Sequence, residues 1–332
     1  MRTVFFENVV FLFLRRCAKI KYMDEKKKRL IVIDCNALIH RAFHALPPLA
    51  TKKGEVVNAV YGFLLVFLKA LKEFNPDYVA ATFDFPAKTF RHKAYKEYKA
   101  TRERAPEELY QQIPKVKEVL KIFGVPIYEK EGLEADDLIG AISNNASSSG
   151  SAVETIILTG DYDVLQLVKD RIRVYALSRG VKEAVLFDKE KVKEKYEGLG
   201  PEQLVDYKAL RGDPSDNIPG VFGIGEKTAI MLIDKFKTLE NLYRELEGVS
   251  LKIQELKESV RKKLSENKNK AFISKMLSQI KYDAPIDFNL DKCRWGDYDR
   301  EKVVNMLNDY EFKSLISRLP GAKIESKNGT LF

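Results

Sequence analysis

Three short apolar segments, each with an aspartate at or just after its carboxyl end, most restrict what this chain can fold into. Residues 30–34 (LIVID), 78–83 (YVAATF) and 153–158 (VETIIL) are largely apolar runs of strand length. They alternate with segments that carry apolar residues at helical spacing, such as residues 56–74. Strands of this kind indicate a sheet with both faces covered, and the alternation with helices indicates parallel strands. The sequence therefore predicts an α/β fold with a parallel sheet.

The second part of the chain has a different pattern. After about residue 190 the pattern is helical to about residue 318. With 332 residues, of which 45% are apolar, the chain can bury a sizeable core, which excludes an intrinsically disordered protein. We predict a tail outside the fold at residues 1–28, an α/β domain at 29–190, an all-helical region at 191–320 and a polar tail at 321–332.

Charge and cysteine content narrow the class of protein. The formal net charge is +9, which favours an anionic partner, most often nucleic acid. The three cysteines form no CxxC motif and no Cys/His cluster. This argues against a disulfide framework and a structural zinc site, and for a reducing, cytoplasmic compartment.

The N-terminal segment does not predict a membrane span. Residues 3–14 are an apolar run interrupted by Glu7 and Asn8, far short of the ~20 residues that a spanning helix needs. The run also lacks the small-residue cleavage site of a signal peptide. We expect the fold to begin near Met23, with residues 1–22 a tail or the product of an upstream start codon. A membrane anchor is the less favoured alternative, so we expect a cytoplasmic, nucleoid-associated monomer with no membrane partner.

Acidic residues collect where the predicted strands end. Asp34 ends the first strand, Asp84 follows the second, and Asp161 follows the third. Because the carboxyl ends of parallel strands meet at one edge of a sheet, where ligands bind, these carboxylates should converge. The segments GLEADD and RGDPSDN open a helix and the helical region, and they add further acidic residues. The full candidate set is Asp34, Asp84, Glu134, Asp136, Asp137, Asp161, Asp163, Asp213 and Asp216.

A cluster of this kind predicts a metal site. Converging like charges raise each other's pKa unless a cation neutralises them, and the sequence offers no basic residue next to these strand ends. Hard divalent cations prefer oxygen ligands, and Mg²⁺ binds through a few carboxylates together with water and phosphate. Two such ions ~4 Å apart activate a water molecule and stabilise the leaving oxygen in phosphodiester cleavage. The set therefore predicts a site for two Mg²⁺ ions, with Mn²⁺ as the alternative metal.

The same residues have other interpretations. An aspartate at a strand end also forms turns or caps helices, and an acidic residue at a helix start favours the helix dipole. That all nine serve only turns in a basic chain is much less expected. A nucleophilic enzyme is poorly supported, because His40, His44 and His92 are the only histidines and none has a matching Ser or Cys motif. A Walker loop and a Rossmann glycine motif are also missing from the sequence.

Residues 219–229 (PGVFGIGEKTA) predict a helix–hairpin–helix that binds phosphate. Gly223 and Gly225 would let the backbone approach a phosphate, and the following helix N-terminus would supply N–H donors. We include Lys227 and Thr228 of this pattern among the predicted DNA contacts. Such hairpins bind the DNA backbone without reading bases, and the alternative is a plain helical hairpin.

Two basic stretches of the chain could bind nucleic acid, and the first indicates this more strongly than the second. Residues 86–104 carry seven Lys or Arg against two Glu, with Tyr95 and Tyr98 interleaved. Basic groups with aromatic rings suit single-stranded or frayed nucleic acid, and the alternative is a solvated helix face with the tyrosines packed inward. Residues 252–275 carry eight Lys or Arg against three Glu. For these residues we favour the solvated face, with a contribution to general attraction of DNA.

Six motifs occur in a fixed order along the chain. They are LIVIDCNALIHRAFHALPPL, NAVYGF, FDFPAKTFRHKAYKEYKATR, GLEADDLIG, LTGDYDVLQLV and RGDPSDNIPGVFGIGEKTA. Together they resemble the 5′ nuclease domain of bacterial family A DNA polymerases, within the flap endonuclease superfamily, from about residue 29 to about residue 321. The resemblance implies a PIN-like core, a helical arch at about residues 86–115 and a helix–hairpin–helix at about residues 214–236.

The resemblance also implies residue roles. Lys99 and Arg102 match basic residues that hold the scissile phosphate, and Tyr98 matches an aromatic that stacks on the substrate. Arg41 and Arg91 match DNA contacts, and the hairpin matches a duplex-binding element that often holds K⁺. The first metal site would comprise Asp34, Asp84, Glu134 and Asp136, and the second Asp136, Asp161, Asp163 and Asp216, with Asp137 and Asp213 nearby.

The activity that follows is a metal-dependent, structure-specific 5′→3′ exonuclease and 5′-flap endonuclease acting in replication and repair. Its expected partners are DNA with a 5′ flap, nick or single-stranded 5′ end, RNA primers, and a DNA polymerase, either separate or in the same longer chain. One departure is Cys35, where the family usually has Gly; it removes no ligand.

Two alternatives stay open at this point. A PIN-type ribonuclease would use the same metal chemistry, although a helix–hairpin–helix argues against it. A non-catalytic DNA-binding accessory module would not need nine carboxylates, which repel DNA in the absence of metal ions.

Overall fold

A six-stranded sheet lies at the centre of the first part of the chain. The computed structural model describes residues 28–148, 153–248 and 250–321, so the predicted N-terminal tail and nearly all of the C-terminal tail lie outside the described residues. The strands are β1 (Lys28–Asp34), β2 (Tyr78–Thr82), β3 (Ile127–Tyr128), β4 (Val153–Thr159), β5 (Ile172–Arg179) and β6 (Glu183–Phe187).

The strand order is β3-β2-β1-β4-β5-β6, and all neighbours are parallel except β5 and β6. The sequence pattern does not predict β6, which is a hairpin partner of β5. The order reverses at β1, since β2 lies on one side of it and β4 on the other. In the registers, Asp34 is opposite Thr82 and Ile33 is opposite Leu158, so the three strands end at one level.

Helices make up most of the remaining structure. Short 3₁₀ turns cover Asp163–Leu167, Pro201–Gln203 and Leu290–Cys293. The helices are α1 (Cys35–Ala45), α2 (Asn58–Phe74), α3 (Phe90–Ala94), α4 (Glu107–Tyr110), α5 (Gln112–Ile122), α6 (Ala135–Ser148), α7 (Lys189–Lys195), α8 (Leu204–Arg211), α9 (Glu226–Phe236), α10 (Leu239–Glu247), α11 (Leu251–Gln254), α12 (Glu258–Glu266), α13 (Lys268–Ser278), α14 (Arg300–Asp309) and α15 (Lys313–Ile316).

Both faces of the sheet are covered, and this explains the largely apolar strands. Alternate residues of β1 belong to different cores. On one face Ile31 and Ile33 lie in a core with Phe63 of α2. On the other face Leu30 and Val32 lie in a core with residues of α6. The predicted α/β core is confirmed.

The segment predicted as a helical arch, residues 86–115, is helical mainly near its two ends. Helices α3 and α4 are short, and residues 95–106 between them form turns and extended backbone. The reason lies in backbone contacts with a distant loop. The Lys99 amide donates to the Asp216 carbonyl at 2.9 Å, and Lys99 itself has a φ of 56°. The hydrogen bond and the left-handed φ of Lys99 place a turn at this point, and a continuous helix cannot run through it.

The helical region has its own core but does not include every helix after residue 190. Helices α8 and α9 flank a hairpin at residues 212–225, so the helix–hairpin–helix begins earlier than the predicted residue 214. Helices α14 and α15 return to the first domain, where Val303 and Leu315 pack in the same core as Ile31. Within the described ranges no helix is both long and apolar enough to cross a bilayer.

Candidate active site

The carboxylate of Asp34 lies at the point where the strand order reverses. Its Oδ2 accepts a 2.6 Å hydrogen bond from the hydroxyl of Thr159, the last residue of β4, and its Oδ1 accepts from the amide of Ala37 at 3.1 Å. Asp34 therefore caps α1 and also faces the edge of the sheet. The same side chain can therefore be both a helix cap and a residue of the functional site.

Asp84 and Glu134 join this edge from the next strand and from α6. The Oδ1 atom of Asp84 accepts from the amide of Ala135 at 2.8 Å, which ties the end of β2 to the first residue of α6. Glu134 precedes that helix and lies close to Lys99, with 2.8 Å between Oε2 and Nζ. Two separate elements thus bring carboxylates to the position of Asp34.

A second cluster of acidic residues includes Asp161 and Asp163, which follow β4, and a lysine joins it to Asp213. The Oδ1 atom of Asp161 accepts from the amide of Asp163 at 2.9 Å. The ammonium of Lys208 on α8 contacts the Asp163 carboxylate and lies 2.9 Å from Oδ2 of Asp213. Lys208 is a site residue that the sequence analysis missed; the only signal was its position five residues before Asp213.

Most of these carboxylates line one cavity of about 860 Å³, although Asp213 and Lys208 are not part of its wall. The wall also carries basic side chains, Arg41, Arg91, Lys99, Arg102 and Arg104, together with His40 and His44. Of the nine predicted carboxylates the cavity wall includes seven: Asp34, Asp84, Glu134, Asp136, Asp161, Asp163 and Asp216. The structure therefore brings most of the predicted set together at the edge where three parallel strands end.

The cavity is unfavourable for uncompensated negative charge. Burial raises the pKa of Asp34 to about 7, and the neighbouring carboxylates of Asp161 and Asp84 add to the shift. Burial, together with Asp161, raises the pKa of Asp163 to about 6 even though Lys208 opposes the change. The pKa of Asp136 is also raised, first by burial and then by the acidic residues around it.

Basic side chains compensate part of this charge, which corrects the sequence-based expectation that none is nearby. Burial disfavours the Glu134 carboxylate, but Lys99 and Arg91 outweigh this and lower its pKa. Lys208 lowers the pKa of Asp213 to about 2 against the effect of burial. Arg102 donates to Oδ1 of Asp216 at 2.7 Å. All these cations are distant in sequence from the carboxylates they approach, except Lys208 from Asp213.

Four predicted site residues, Asp137, Arg91, Tyr98 and Arg41, contact other groups of the protein. Asp137 is fully buried and forms an ion pair with Arg91, which is itself buried. Tyr98 is 3% exposed, and its hydroxyl donates to Glu134 at 3.1 Å. Arg41 donates to the backbone carbonyl of Gly160 at 2.9 Å while lining the cavity.

The donor set fits divalent metal ions by its chemistry. Several carboxylates line one cavity, and burial raises the pKa of two of them, Asp34 and Asp163, so that neutralisation of their charge is favourable there. In the part of the chain that the structure describes, no three His, Cys, Asp or Glu side chains are grouped so that they could hold an ion. Lys99, Arg102 and Lys208 contact the carboxylates instead. The individual ligand assignments stay predictions.

The predicted phosphate-binding hairpin follows α8. Gly223 has a φ of 76°, which favours glycine, and Gly225 immediately precedes α9. Lys227 and Thr228 lie in the first turn of that helix, and Lys227 is exposed. The amides of this turn are oriented as at any helix N-terminus, where anions bind.

The fold and the site define a nuclease: a parallel sheet carries carboxylates at its switch point, basic side chains border the cavity, and a helix–hairpin–helix follows. The family model of the 5′-3′ exonuclease N-terminal resolvase-like domain matches residues 29–197, and that of the 5′-3′ exonuclease C-terminal SAM fold matches residues 199–301. The chain belongs to the 5′-3′ exonuclease family.

Curated relatives agree with this assignment. The chain is 43% identical over 293 residues to DNA polymerase I of Caldicellulosiruptor bescii and 42% identical over 297 residues to that of Bacillus subtilis. These matches cover 88% and 90% of this chain but only 33% of each relative. The chain therefore spans about a third of the length of the curated relatives it matches.

Solved structures share the fold. A T5 5′-exonuclease structure with bound divalent metal ions (zinc) has a TM-score of 0.63 at 19% identity, covering 88% of this chain and 100% of that one. The catalytic core of Rad2 in complex with DNA substrate has a TM-score of 0.57 at 19% identity, covering 88% of this chain and 93% of that one. The PIN-like nuclease fold expected from the sequence is confirmed.

Proposed function

We propose that this chain hydrolyses phosphodiester bonds near the 5′ ends and 5′ flaps of DNA, and of RNA primers, in a reaction that depends on two Mg²⁺ ions. The observation that carries the proposal is the convergence of seven carboxylates in one cavity that Lys99 and Arg102 also line. A site that combines several buried carboxylates with two cations at its border suits a phosphodiester, whose negative charge increases during hydrolysis.

The residues that would hold the metal ions divide into two groups. Asp34, Asp84, Glu134 and Asp136 would form one, and Asp136, Asp161, Asp163 and Asp216 the other. Asp213 would act through Lys208, which it contacts, and Mn²⁺ is an alternative to Mg²⁺. When bound, such ions lower the pKa of a coordinated water and stabilise charge on the leaving oxygen.

The chain's own residues would position the phosphate. The ammonium of Lys99 lies 2.8 Å from Glu134 Oε2 and 3.7 Å from Asp216 Oδ2, between the acidic groups of the cavity. Arg102 has a side chain 55% exposed and can turn from Asp216 to an incoming phosphate. We infer that these two cations exchange their carboxylate partners for phosphate oxygens when substrate and metal ions bind, and then stabilise the developing charge.

The substrate is defined by shape rather than by sequence. The hairpin at Gly223 and Gly225, with Lys227 and Thr228, would bind duplex DNA through phosphate contacts, with K⁺ as an additional ligand there. Binding of this kind depends on salt and not on base sequence. A DNA polymerase, in the same longer chain or separate, is the proposed protein partner, because the relatives in which this segment occurs are about three times as long.

The test is cleavage of a labelled 5′-flap duplex by the full chain, first with Mg²⁺ and then with EDTA. We expect release of the flap near the junction only with the metal ion. Asp34→Ala should abolish cleavage and leave DNA binding intact, since it removes a cavity carboxylate and no basic contact. The matched control is Asp170→Ala, an exposed carboxylate paired with Lys189 outside the cavity.

Three results would contradict the proposal in different ways. Normal cleavage by Asp34→Ala would show that the site is wrongly assigned. Binding without turnover in Mg²⁺ and in Mn²⁺ would favour the accessory-module alternative. Cleavage of RNA but not of DNA flaps would favour the ribonuclease alternative.

A further inference from the structure

Phe222 is a large apolar side chain that the fold leaves in water. It is 81% exposed, the highest value among the large apolar residues that the structure describes. The residues beside it behave differently, since Val221 is 2% exposed and Ile224 is 4% exposed. The hairpin is therefore anchored in the core by two aliphatic residues while it projects an aromatic ring from its tip. Covering this ring with another surface would be favourable, because it would remove apolar area from water.

One lysine of α12 contacts the hairpin next to Phe222. Lys263 of α12 donates to the carbonyl of Gly223 at 3.0 Å, directly beside the ring in sequence. The same helix also carries Arg261 and Lys262, and the side chain of Lys262 is 74% exposed. Helix α9, with the backbone amides of its first turn, begins at Glu226, four residues after Phe222. A covering surface must therefore offer negative charge and an apolar patch within a few ångströms of each other.

A nucleic acid backbone has this alternation, because each phosphate is followed by a largely apolar sugar face. A globular protein surface that matched the charge would present carboxylates, whose neighbours are commonly polar. We propose that Phe222 packs against a deoxyribose of the duplex arm, next to the phosphate that the hairpin amides bind. This rests on the proposed function for the duplex as substrate, and it assigns to the hairpin an apolar contact in addition to its phosphate contacts.

If this contact exists, removal of the ring should weaken DNA binding without changing the charge of the protein. Phe222→Ala should raise the Kd for a 5′-flap duplex about tenfold, as for other contacts between rings and nucleotides. The slope of log Kd against log salt should stay unchanged, because no cation is removed. Leu251→Ala is the matched control, since Leu251 is 78% exposed on α11 outside the hairpin, and it should bind as the unaltered chain does.

The binding measurement uses fluorescence anisotropy of a labelled duplex in EDTA, so that the substrate is not cut. Thermal denaturation of Phe222→Ala checks that the fold is kept, which the exposure of the ring leads us to expect. In steady-state cleavage with Mg²⁺, the variant should raise KM and leave kcat unchanged. An unchanged Kd for Phe222→Ala, or an equal loss in Leu251→Ala, would overturn the proposal.

A second variant reports the contact directly. The chain has one tryptophan, Trp295, which packs against Phe67 and Phe123. In a Trp295→Phe background, Phe222→Trp places a single fluorophore at the hairpin tip. Its emission should shift to shorter wavelength or be quenched when duplex is added, and an emission that duplex does not change would overturn the proposal.

The two proposals fail separately. If the unaltered chain does not cleave the flap in Mg²⁺, the proposed function fails, and the Kd values in EDTA still decide the role of Phe222. If the chain cleaves normally and Phe222→Ala binds as tightly as the unaltered chain, only the inference about Phe222 fails.

Discussion

The guanidinium of Arg91 and the carboxylate of Asp137 form a bidentate ion pair, with 2.8 Å between Nη1 and Oδ2 and 2.9 Å between Nη2 and Oδ1. Arg91 also donates to the carbonyl oxygens of Leu277 and Gln279 at 2.9 and 2.8 Å, and Asp137 accepts from the amide of Lys281 at 3.0 Å. The pair thus joins α3, the start of α6 and the segment after α13. It holds together three of the elements that line the acidic cavity.

Removal of one partner of this pair should destabilise the protein strongly. Arg91→Ala leaves a buried carboxylate without its cation, which costs about 3–5 kcal/mol in the free energy of unfolding. Urea denaturation measures the loss. Arg104→Ala is the control, because Arg104 and Glu107 are exposed on the same segment and such pairs contribute at most about 1 kcal/mol. An Arg91→Ala chain of normal stability that binds DNA poorly would restore the sequence-based assignment of Arg91 as a DNA contact.

Lys99 should act on the rate of cleavage. Lys99→Ala removes a cation that lies within 4 Å of two cavity carboxylates, those of Glu134 and Asp216, so we expect kcat for a 5′-flap duplex to fall by about 10²- to 10³-fold. Single-turnover kinetics at saturating enzyme separate this effect from binding. Lys96→Ala provides the comparison, since Lys96 is an exposed lysine three residues earlier with the same charge. Equal losses in both variants would mean that general charge, and not the position of Lys99, is responsible.

Asp34 should make the metal-free protein sensitive to pH. Its pKa is about 7 in the folded chain against an ordinary 3.8, so the folded state holds this proton more tightly than the unfolded state does. Stability is therefore lost as pH rises from about 4 to about 7. Asp34→Asn removes this loss and should raise Tm in EDTA by a few degrees at pH 7.5, with little change at pH 4.

The control for this pH effect is Asp170→Asn, an exposed carboxylate outside the cavity, which should give no such gain at pH 7.5. Added Mg²⁺ should raise the Tm of the unaltered chain at pH 7.5 more than that of Asp34→Asn, because a ligand of the folded state stabilises it. A gain in Asp34→Asn that is the same at both pH values would contradict the assignment to ionisation of Asp34.

Variants of Tyr98 can show whether its hydroxyl positions the acidic residues or its ring stacks on the substrate. The hydroxyl donates to Glu134 at 3.1 Å and to Asp216 at 3.3 Å, while the ring is buried. Tyr98→Phe should therefore lower kcat about tenfold, as expected for the loss of hydrogen bonds to charged groups, and leave the Kd for DNA unchanged. Tyr95→Phe on the same segment should keep both. A Tyr98→Phe variant of full activity, with a Kd raised only in Tyr98→Ala, would support stacking on the substrate.

The acidic edge of the sheet was predictable because it depends on local patterns and one topological rule. Asp34 and Asp84 directly end or follow apolar strands, and parallel strands place their carboxyl ends at one edge whatever the loops do. The position of the hairpin after α8 was predictable for a similar reason, since Gly223 and Gly225 lie in one short motif. In both cases the information lies within a few residues of the site.

The partners of the carboxylates were not predictable in this way. Lys99 is 35 residues from Glu134 and 117 residues from Asp216 in sequence, and the turn that brings it there depends on a backbone hydrogen bond to the Asp216 carbonyl. The same holds for the ion pair between Arg91 and Asp137, whose partners are 46 residues apart in sequence. Which residues form such pairs depends on how long segments of the chain run between them. The residue types alone do not predict the course of those segments.

The sequence alone thus established the class of fold, the edge of the sheet that carries the acidic residues, and the hairpin that follows it. These features arise from apolar periodicity, from strand direction and from the conformational freedom of glycine, all of which act over short distances along the chain. Tertiary structure decided which cation faces which carboxylate, and it buried Tyr98, exposed Phe222 and returned α14 to the first core. Charge compensation and burial are set by groups that meet only after the chain has folded, because both depend on the whole surroundings of a side chain.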